Sequence, residues 1–144
     1  MELLDVNVLV YAHREDAEDH PSYRSWVEGV ANGSASFSIT DLVFSGFLRV
    51  VTHPRIFSRP TPLLGALEMV EQLRRRPNFV PVAPGRRHWD IFTGLVRTVR
   101  ARGNLIPDAF HAAIASETGS EWITTDRGFA RFPGLRVRHP LHGS

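Results

Sequence analysis

Apolar residues fall along this chain in two kinds of run. Three stretches are continuously apolar or β-branched: "LLDVNVLVYA" at 3–12, "SASFSIT" at 34–40 and "EWITT" at 121–125. Such runs read as strands, the first covered on both faces like a strand inside a parallel sheet. Between them the period changes to that of helices. "HREDAEDHPSYRSWVEGVANG" is polar and then helical, with Trp26, Val27 and Val30 on an apolar face. "DLVFSGFLRVVTH" reads as a helix with Thr40 as N-cap and Pro54 as its stop. "TPLLGALEMVEQLRRR" reads as another, capped by Thr61, with Pro62 at its first position and a stripe of Leu63, Leu67, Val70 and Leu73.

Later segments continue the alternation. "NFVPV" reads as a short strand weakened by its proline. A helix is predicted from Arg86 to Arg102, with Trp89, Phe92, Leu95, Val96 and Val99 on one side and Gly103 at its end. Pro107 opens "PDAFHAAIASETG", which closes at Gly119, and "LRVR" makes a last edge strand. Strands alternating with helices predict an α/β fold with a mostly parallel central sheet. With 144 residues and 42% hydrophobic content, one domain spanning 1–144 is expected.

Composition narrows the chemistry. There is no cysteine, which excludes disulfides and thiolate metal sites and fits a cytoplasmic protein. The N-terminus lacks a basic signal-peptide region, and no apolar run nears the ~20 residues of a membrane span. All 17 basic residues are arginine. Up to Asp41 the chain carries eight acids and two arginines, net −6; beyond it, fifteen arginines and seven acids, net +8. That asymmetry suits an acidic pocket beside a surface able to meet phosphates, although a charged helix face is more often only solvated.

Three aspartates stand out. Asp5 and Asp126 fall at or near the carboxyl ends of predicted strands, where open parallel sheets build their sites. Asp108 sits in the first turn of a helix, which favours a carboxylate and places it on the same rim. Singly, each reads as a cap or turn residue. Together they form a repelling cluster of the kind that a hard cation such as Mg²⁺ or Mn²⁺ resolves. Receiver domains and haloacid-dehalogenase-type phosphatases also use rim aspartates, but both add a lysine, and this chain has none. Metal-dependent phosphodiester hydrolysis needs no lysine.

The stretches "LLDVNVLVYA", "FLRVVTHPRIF", "IPDAFHAAIASETG" and "TTDRGFARFPGLRV" resemble the PIN-domain ribonucleases, and within them the VapC-type toxins of bacterial toxin–antitoxin pairs. The resemblance runs to about Pro140. It implies a three-layer α/β/α domain acting as a metal-dependent endoribonuclease on RNA, with a VapB-like antitoxin as inhibitor and a homodimer as assembly. Carried over by position, the metal-binding and catalytic acids are Asp5, Asp108 and Asp126, with Asn7 and Thr124 as supporting polar residues. The family's fourth acid, a glutamate in the helix after the second strand, falls on Gly46 or Ser45, with Asp41 an earlier substitute. The departure gives a rival reading: a PIN scaffold that binds RNA or protein and cleaves weakly.

Other features have plainer readings. His111 reads as a helix-surface histidine and His53 as helix termination. His13 and Arg14 receive no role. "RRRP" at 74–77 reads as a helix C-terminus complementing its dipole. Arginines from Arg74 to Arg102, among them Arg86, Arg87, Arg97 and Arg100, are candidate phosphate contacts.

Overall fold

The structure, a computed structural model, describes residues 1–143; the expected domain end at Ser144 lies outside the described residues. Strands β1 (Glu2–Leu4), β2 (Phe37–Ser38), β3 (Glu121–Ile123) and β4 (Arg136–Arg138) form one sheet in the order β2-β1-β3-β4. All neighbours are parallel. The register sets Glu2 directly opposite Glu121, a like-charge pair. Arg138 on β4 offsets it, its guanidinium bonding Glu121 at 3.0 Å and also Glu2.

Among the described residues six α-helices accompany the sheet: α1 (Val6–His13), α2 (His20–Ala31), α3 (Asp41–Val51), α4 (Leu63–Arg74), α5 (His88–Val99) and α6 (Leu105–Thr118). α1 packs on α2 and α3, α3 on α4, and α5 on α6, which also meets β3. The result is the expected three-layer α/β/α arrangement. Trp122, Phe37, Phe47 and Phe129 are the largest wholly buried side chains. Among the described residues no helix is long and apolar enough to cross a membrane.

The first apolar run departs from its predicted form. Its strand stops at Leu4 and a helix begins at Val6. Asp5 makes the switch: its backbone N–H donates to the Ile123 carbonyl at 2.9 Å, and its side chain accepts from the Val6 N–H at 2.6 Å. An aspartate at this position satisfies a helix N–H that no backbone carbonyl can reach. Burial of Val8, Leu9 and Val10 overrides the modest helix propensity of valine.

Smaller corrections have equally local causes. Thr40 caps α3 as expected, accepting from Val43 N–H at 3.2 Å. Thr61 does not cap α4; its hydroxyl is bonded by His13 at 2.9 Å, and Pro62 holds the cap position. The α4 stripe is Ala66, Val70 and Leu73, while Leu63 is exposed. "NFVPV" contributes only an isolated bridge from Phe79 to Phe37. On α5, Trp89 turns outward and His88 turns inward, bonding the Phe110 carbonyl at 3.0 Å. That helix ends at Arg100, in the left-handed region at φ 54°, not at Gly103. α6 starts two residues before Pro107 and closes on Gly119, whose φ of 64° suits glycine.

Phe47 is wholly buried on α3 and meets His13 edge-on at 5.4 Å. Phe47→Ala is expected to cost about 3–5 kcal/mol through lost transfer energy and a residual cavity. Urea unfolding of the variant beside the wild type measures this.

Candidate active site

Parallel strands place the site. β1 and β3 run the same way, so Asp5, just past β1, and Asp126, three residues past β3, leave the sheet at the same end. α6 hands directly into β3 at Gly119, so its C-terminus lies at the start of that strand. Its 14 residues span about 20 Å, which returns the first turn, with Asp108, to the carboxyl ends.

One hydroxyl connects the centre. Thr124, 2% exposed, donates to Asp5 Oδ2 at 2.6 Å and accepts from the Asp126 N–H at 3.0 Å. Asn7 Nδ2 lies 3.4 Å from both Asp5 Oδ2 and Thr124 Oγ1, and its Oδ1 accepts from Thr125 N–H at 3.3 Å. Asn7 and Thr124 therefore tie the end of β3 to the start of α1. Asp126 caps the 3-10 turn Arg127–Arg131 through Oδ1 and the Gly128 N–H at 2.8 Å. A Cβ at Gly128 would stand only 3.0 Å from that oxygen, so glycine there lets the carboxylate come close.

The three carboxylates differ in burial. Asp5 is buried, Asp108 half-buried and Asp126 exposed. Burial raises the pKa of Asp5, opposed by its hydrogen bonds from Thr124 and Val6. Burial, then the charges of Asp126 and Asp5, push Asp108 up to about 6. The acids thus feel one another through space. Among the described residues, however, no three acidic or histidine side chains stand close enough to enclose an ion unaided. An all-carboxylate oxygen set of this charge fits a hard divalent cation, with waters or substrate oxygens completing its shell.

The position expected of a fourth acid also reaches this neighbourhood. A Cβ at Gly46 would lie 3.6 Å from Val6 Cγ2, an ordinary contact beside the residue that Asp5 caps. Asp41 does not substitute. Its side chain is 93% exposed and pairs with Arg74 at 3.0 Å.

The arginine-rich segment divides in two. Glu117, near the end of α6, accepts from the backbone N–H groups of Gly85 and Arg87 at 2.7 and 2.9 Å. That anchors Arg86 and Arg87 at the far end of α6 from Asp108. Arg100 and Arg102 instead lie in the connection entering α6, exposed near its first turn. His111 is no surface residue: its ring stacks 5.3 Å from Trp122, and burial lowers its pKa to about 4. Arg14, unassigned from sequence, chelates Asp16 at 2.6 and 2.9 Å and bonds the Arg59 carbonyl at 2.8 Å. The i,i+2 spacing of Arg14 and Asp16 was its only sequence signal.

Two cavities accompany the site. One of about 630 Å³ opens between α2 and α4, near Val27, Ala31, Met69 and Leu73, and includes none of the three aspartates. A second of about 440 Å³ reaches Thr125, beside Asp126.

Comparison with known proteins follows the same lines. Residues 3–135 match the family model described as PIN domain. Ribonuclease VapC43 of Mycobacterium tuberculosis is 47% identical over 140 residues, covering 97% of this chain and 95% of the relative. Ribonuclease VapC25 of the same organism is 39% identical over 142 residues, covering 98% and 100%. In VapBC2 from Rickettsia felis, solved bound to a promoter DNA fragment, one chain shares the fold at a TM-score of 0.71 with 18% identity, over 96% of this chain and 97% of that one.

The raised pKa of Asp108 carries a stability consequence. In the folded, metal-free protein its carboxyl titrates near 6 rather than at the ordinary 3.8. The folded state therefore binds the proton more tightly than the unfolded chain. That stabilisation is complete below the ordinary value and is lost as pH rises through the folded one. Metal-free Asp108→Asn is expected to lose less melting temperature than wild type between about pH 4 and about pH 7. Equal losses in the two proteins would show that the fold does not raise the Asp108 pKa.

Proposed function

The chain belongs to the PIN-domain family, within its VapC branch, and from that premise we propose that it is a metal-dependent endoribonuclease toxin held in check by a VapB-like antitoxin. The observation that carries the reading is the meeting of Asp5, Asp108 and Asp126 at one end of the sheet, close enough for their charges to couple. Asp5, Asp108 and Asp126 would hold Mg²⁺ or Mn²⁺. When bound, such an ion supplies a Lewis acid that neutralises phosphate charge and brings the pKa of water toward neutrality.

The protein's own groups have distinct tasks. Asp5 is fixed twice, by the Val6 N–H and by the Thr124 hydroxyl, so its carboxylate cannot swing away when an RNA phosphate approaches. Asn7 and Thr124 position rather than react. Asp126, exposed at the mouth, is the acid that solvent and substrate meet first. Arg100 and Arg102 offer guanidinium groups near the first turn of α6, where they would hold the RNA backbone and leave its reacting phosphate over the carboxylates.

A VapB-like antitoxin is supported by the likeness to VapBC2, a toxin–antitoxin complex. The homodimer and the cytoplasmic location rest on family resemblance and composition. The rival binding-module reading is not favoured, because relatives at 47% and 39% identity carry ribonuclease names.

Mapping new 5′ ends in cellular RNA after induction tests the activity and finds its target. Asp5→Asn, Asp108→Asn and Asp126→Asn are each expected to abolish the cuts, as chelation would with purified protein. Discrete cuts surviving all three substitutions would overturn the assignment. Salt dependence tests the backbone contacts. Arg100→Ala with Arg102→Ala should flatten the slope of log affinity against log salt by about 0.7 per lost contact, while Arg86→Ala with Arg87→Ala leaves it unchanged.

Gly46→Glu would return a fourth acid to the pocket. The Cβ has room, and removing a mid-helix glycine favours α3 by up to about 1 kcal/mol. The variant should fold at least as well and reach half-maximal cleavage at lower divalent-ion concentration. Unchanged metal dependence in a folded variant would mean that position 46 does not face the ion.

A further inference from the structure

The cavity of about 440 Å³ is walled by Tyr11, Tyr23 and Phe57 and reaches Thr125, the residue before Asp126. Its size lies within the roughly 300–1,000 Å³ typical of small-molecule pockets. Tyr11 is one helical turn beyond Asn7 on α1, so the cavity opens directly beside the carboxylate rim. Tyr11 and Tyr23 begin a run of rings that continues beyond the cavity to His139 and His142. Tyr11 and Tyr23 are 5.2 Å apart, Tyr23 and His139 6.3 Å, and His139 and His142 4.3 Å, the last pair stacked.

The wall is fixed before any ligand arrives. Arg14 lies 4.0 Å from the centroid of Phe57 while locked to Asp16 and to the Arg59 carbonyl. The lining also includes Asp16, Glu18 and Asp19. Asp16 is engaged by Arg14, but Glu18 and Asp19 lie near enough to Tyr23 to raise its pKa, after burial and Tyr11. Carboxylates repel phosphate, so an RNA backbone does not enter. A base is neutral, offers a π-face to the rings, and in adenine, guanine or cytosine adds an amino group that a carboxylate can accept.

The geometry points to a nucleobase subsite: an unpaired base of the RNA packs into the cavity against Tyr11 and Phe57, with buried Tyr23 supporting Tyr11 at 5.2 Å, while its phosphate stays outside on the side of Arg100 and Arg102. This rests on the ribonuclease reading but concerns which part of the substrate the chain grips. The subsite selects single-stranded RNA, since a paired base cannot leave its helix without losing its stack.

Binding in EDTA separates the subsite from catalysis. The probes are a fluorescent five-nucleotide oligoadenylate and an abasic ribose-phosphate oligomer of equal length, followed by anisotropy. Wild type should bind the oligoadenylate more tightly by roughly tenfold. Phe57→Leu and Tyr11→Leu should each remove most of that difference and leave abasic binding unchanged, while Tyr11→Phe retains it. Melting curves identify any variant that fails to fold, and Tyr11→Phe with Phe57→Leu still decide the question if Tyr11→Leu does. No difference between the probes in wild type, or one unaltered by Phe57→Leu, overturns the subsite. So does preferential binding of a short arginine-containing peptide over oligoadenylate. Wild type that keeps the probe difference yet cuts no RNA with Mg²⁺ would defeat the nuclease reading and leave the subsite standing.

Discussion

Everything at the rim depends on one buried carboxylate that also joins the elements around it. Asp5 is 5% exposed, yet it ends β1, caps α1 and receives the Thr124 hydroxyl. Burying a carboxylate is unfavourable unless hydrogen bonds compensate, and here the compensation comes from both sides of the sequence. One donor belongs to the next residue; the other lies 119 residues away. The hydrogen bonds that keep Asp5 tolerable therefore also join the first crossover of the sheet to the last. A structural role and the proposed chemical one fall on the same atoms.

The parallel sheet turns that local arrangement into a site. In an antiparallel sheet, successive strands would deliver Asp5 and Asp126 to opposite ends. Here β1 and β3 are adjacent and parallel, so both chains emerge together, and the length of α6 brings Asp108 back to them. What results is a gradient: buried Asp5, half-buried Asp108, exposed Asp126. Burial, then the charges of both neighbours, hold Asp108 up to about 6, so the cluster resists complete ionisation on its own. Such strain is characteristic of sites prepared for a partner of opposite charge.

The three aspartates were easier to pick out in the sequence than the elements that carry them. Asp5, Asp108 and Asp126 drew notice by lying near predicted strand ends and a helix start, and within the motifs shared with the PIN family. The stop itself was hidden. "VNVLVYA" is as apolar as a buried strand, and only tertiary packing of Val8, Leu9 and Val10 makes it a helix. At α4 the cap signal of Thr61 was outbid by long-range bonds from His13 and Arg14, which no local pattern encodes. The arginines read as one surface because they are near in sequence. Glu117, thirty residues from Arg87, holds the backbone of Arg86 and Arg87 at the end of α6 away from Asp108. His111 misled for a related reason: its partner is Trp122 on another element.

Charge distribution gives the rim its direction. Of the eight acids in the first 41 residues, Asp5 lies at the rim and Asp16, Glu18 and Asp19 line the cavity beside it, while Arg100 and Arg102 lie in the connection before α6. A polyanion meeting this surface finds attraction on one flank and repulsion on the other. Its backbone is drawn toward Arg100 and Arg102, and only an uncharged part of it can settle into the cavity beyond Thr125. A double helix has no such part to offer, because its bases are stacked inside and its outer surface is phosphate. A single strand does, since each nucleotide can turn its base one way and its phosphate the other. On the proposed subsite, the acidic loop beside the cavity would thus sort nucleic acids by whether their bases are free.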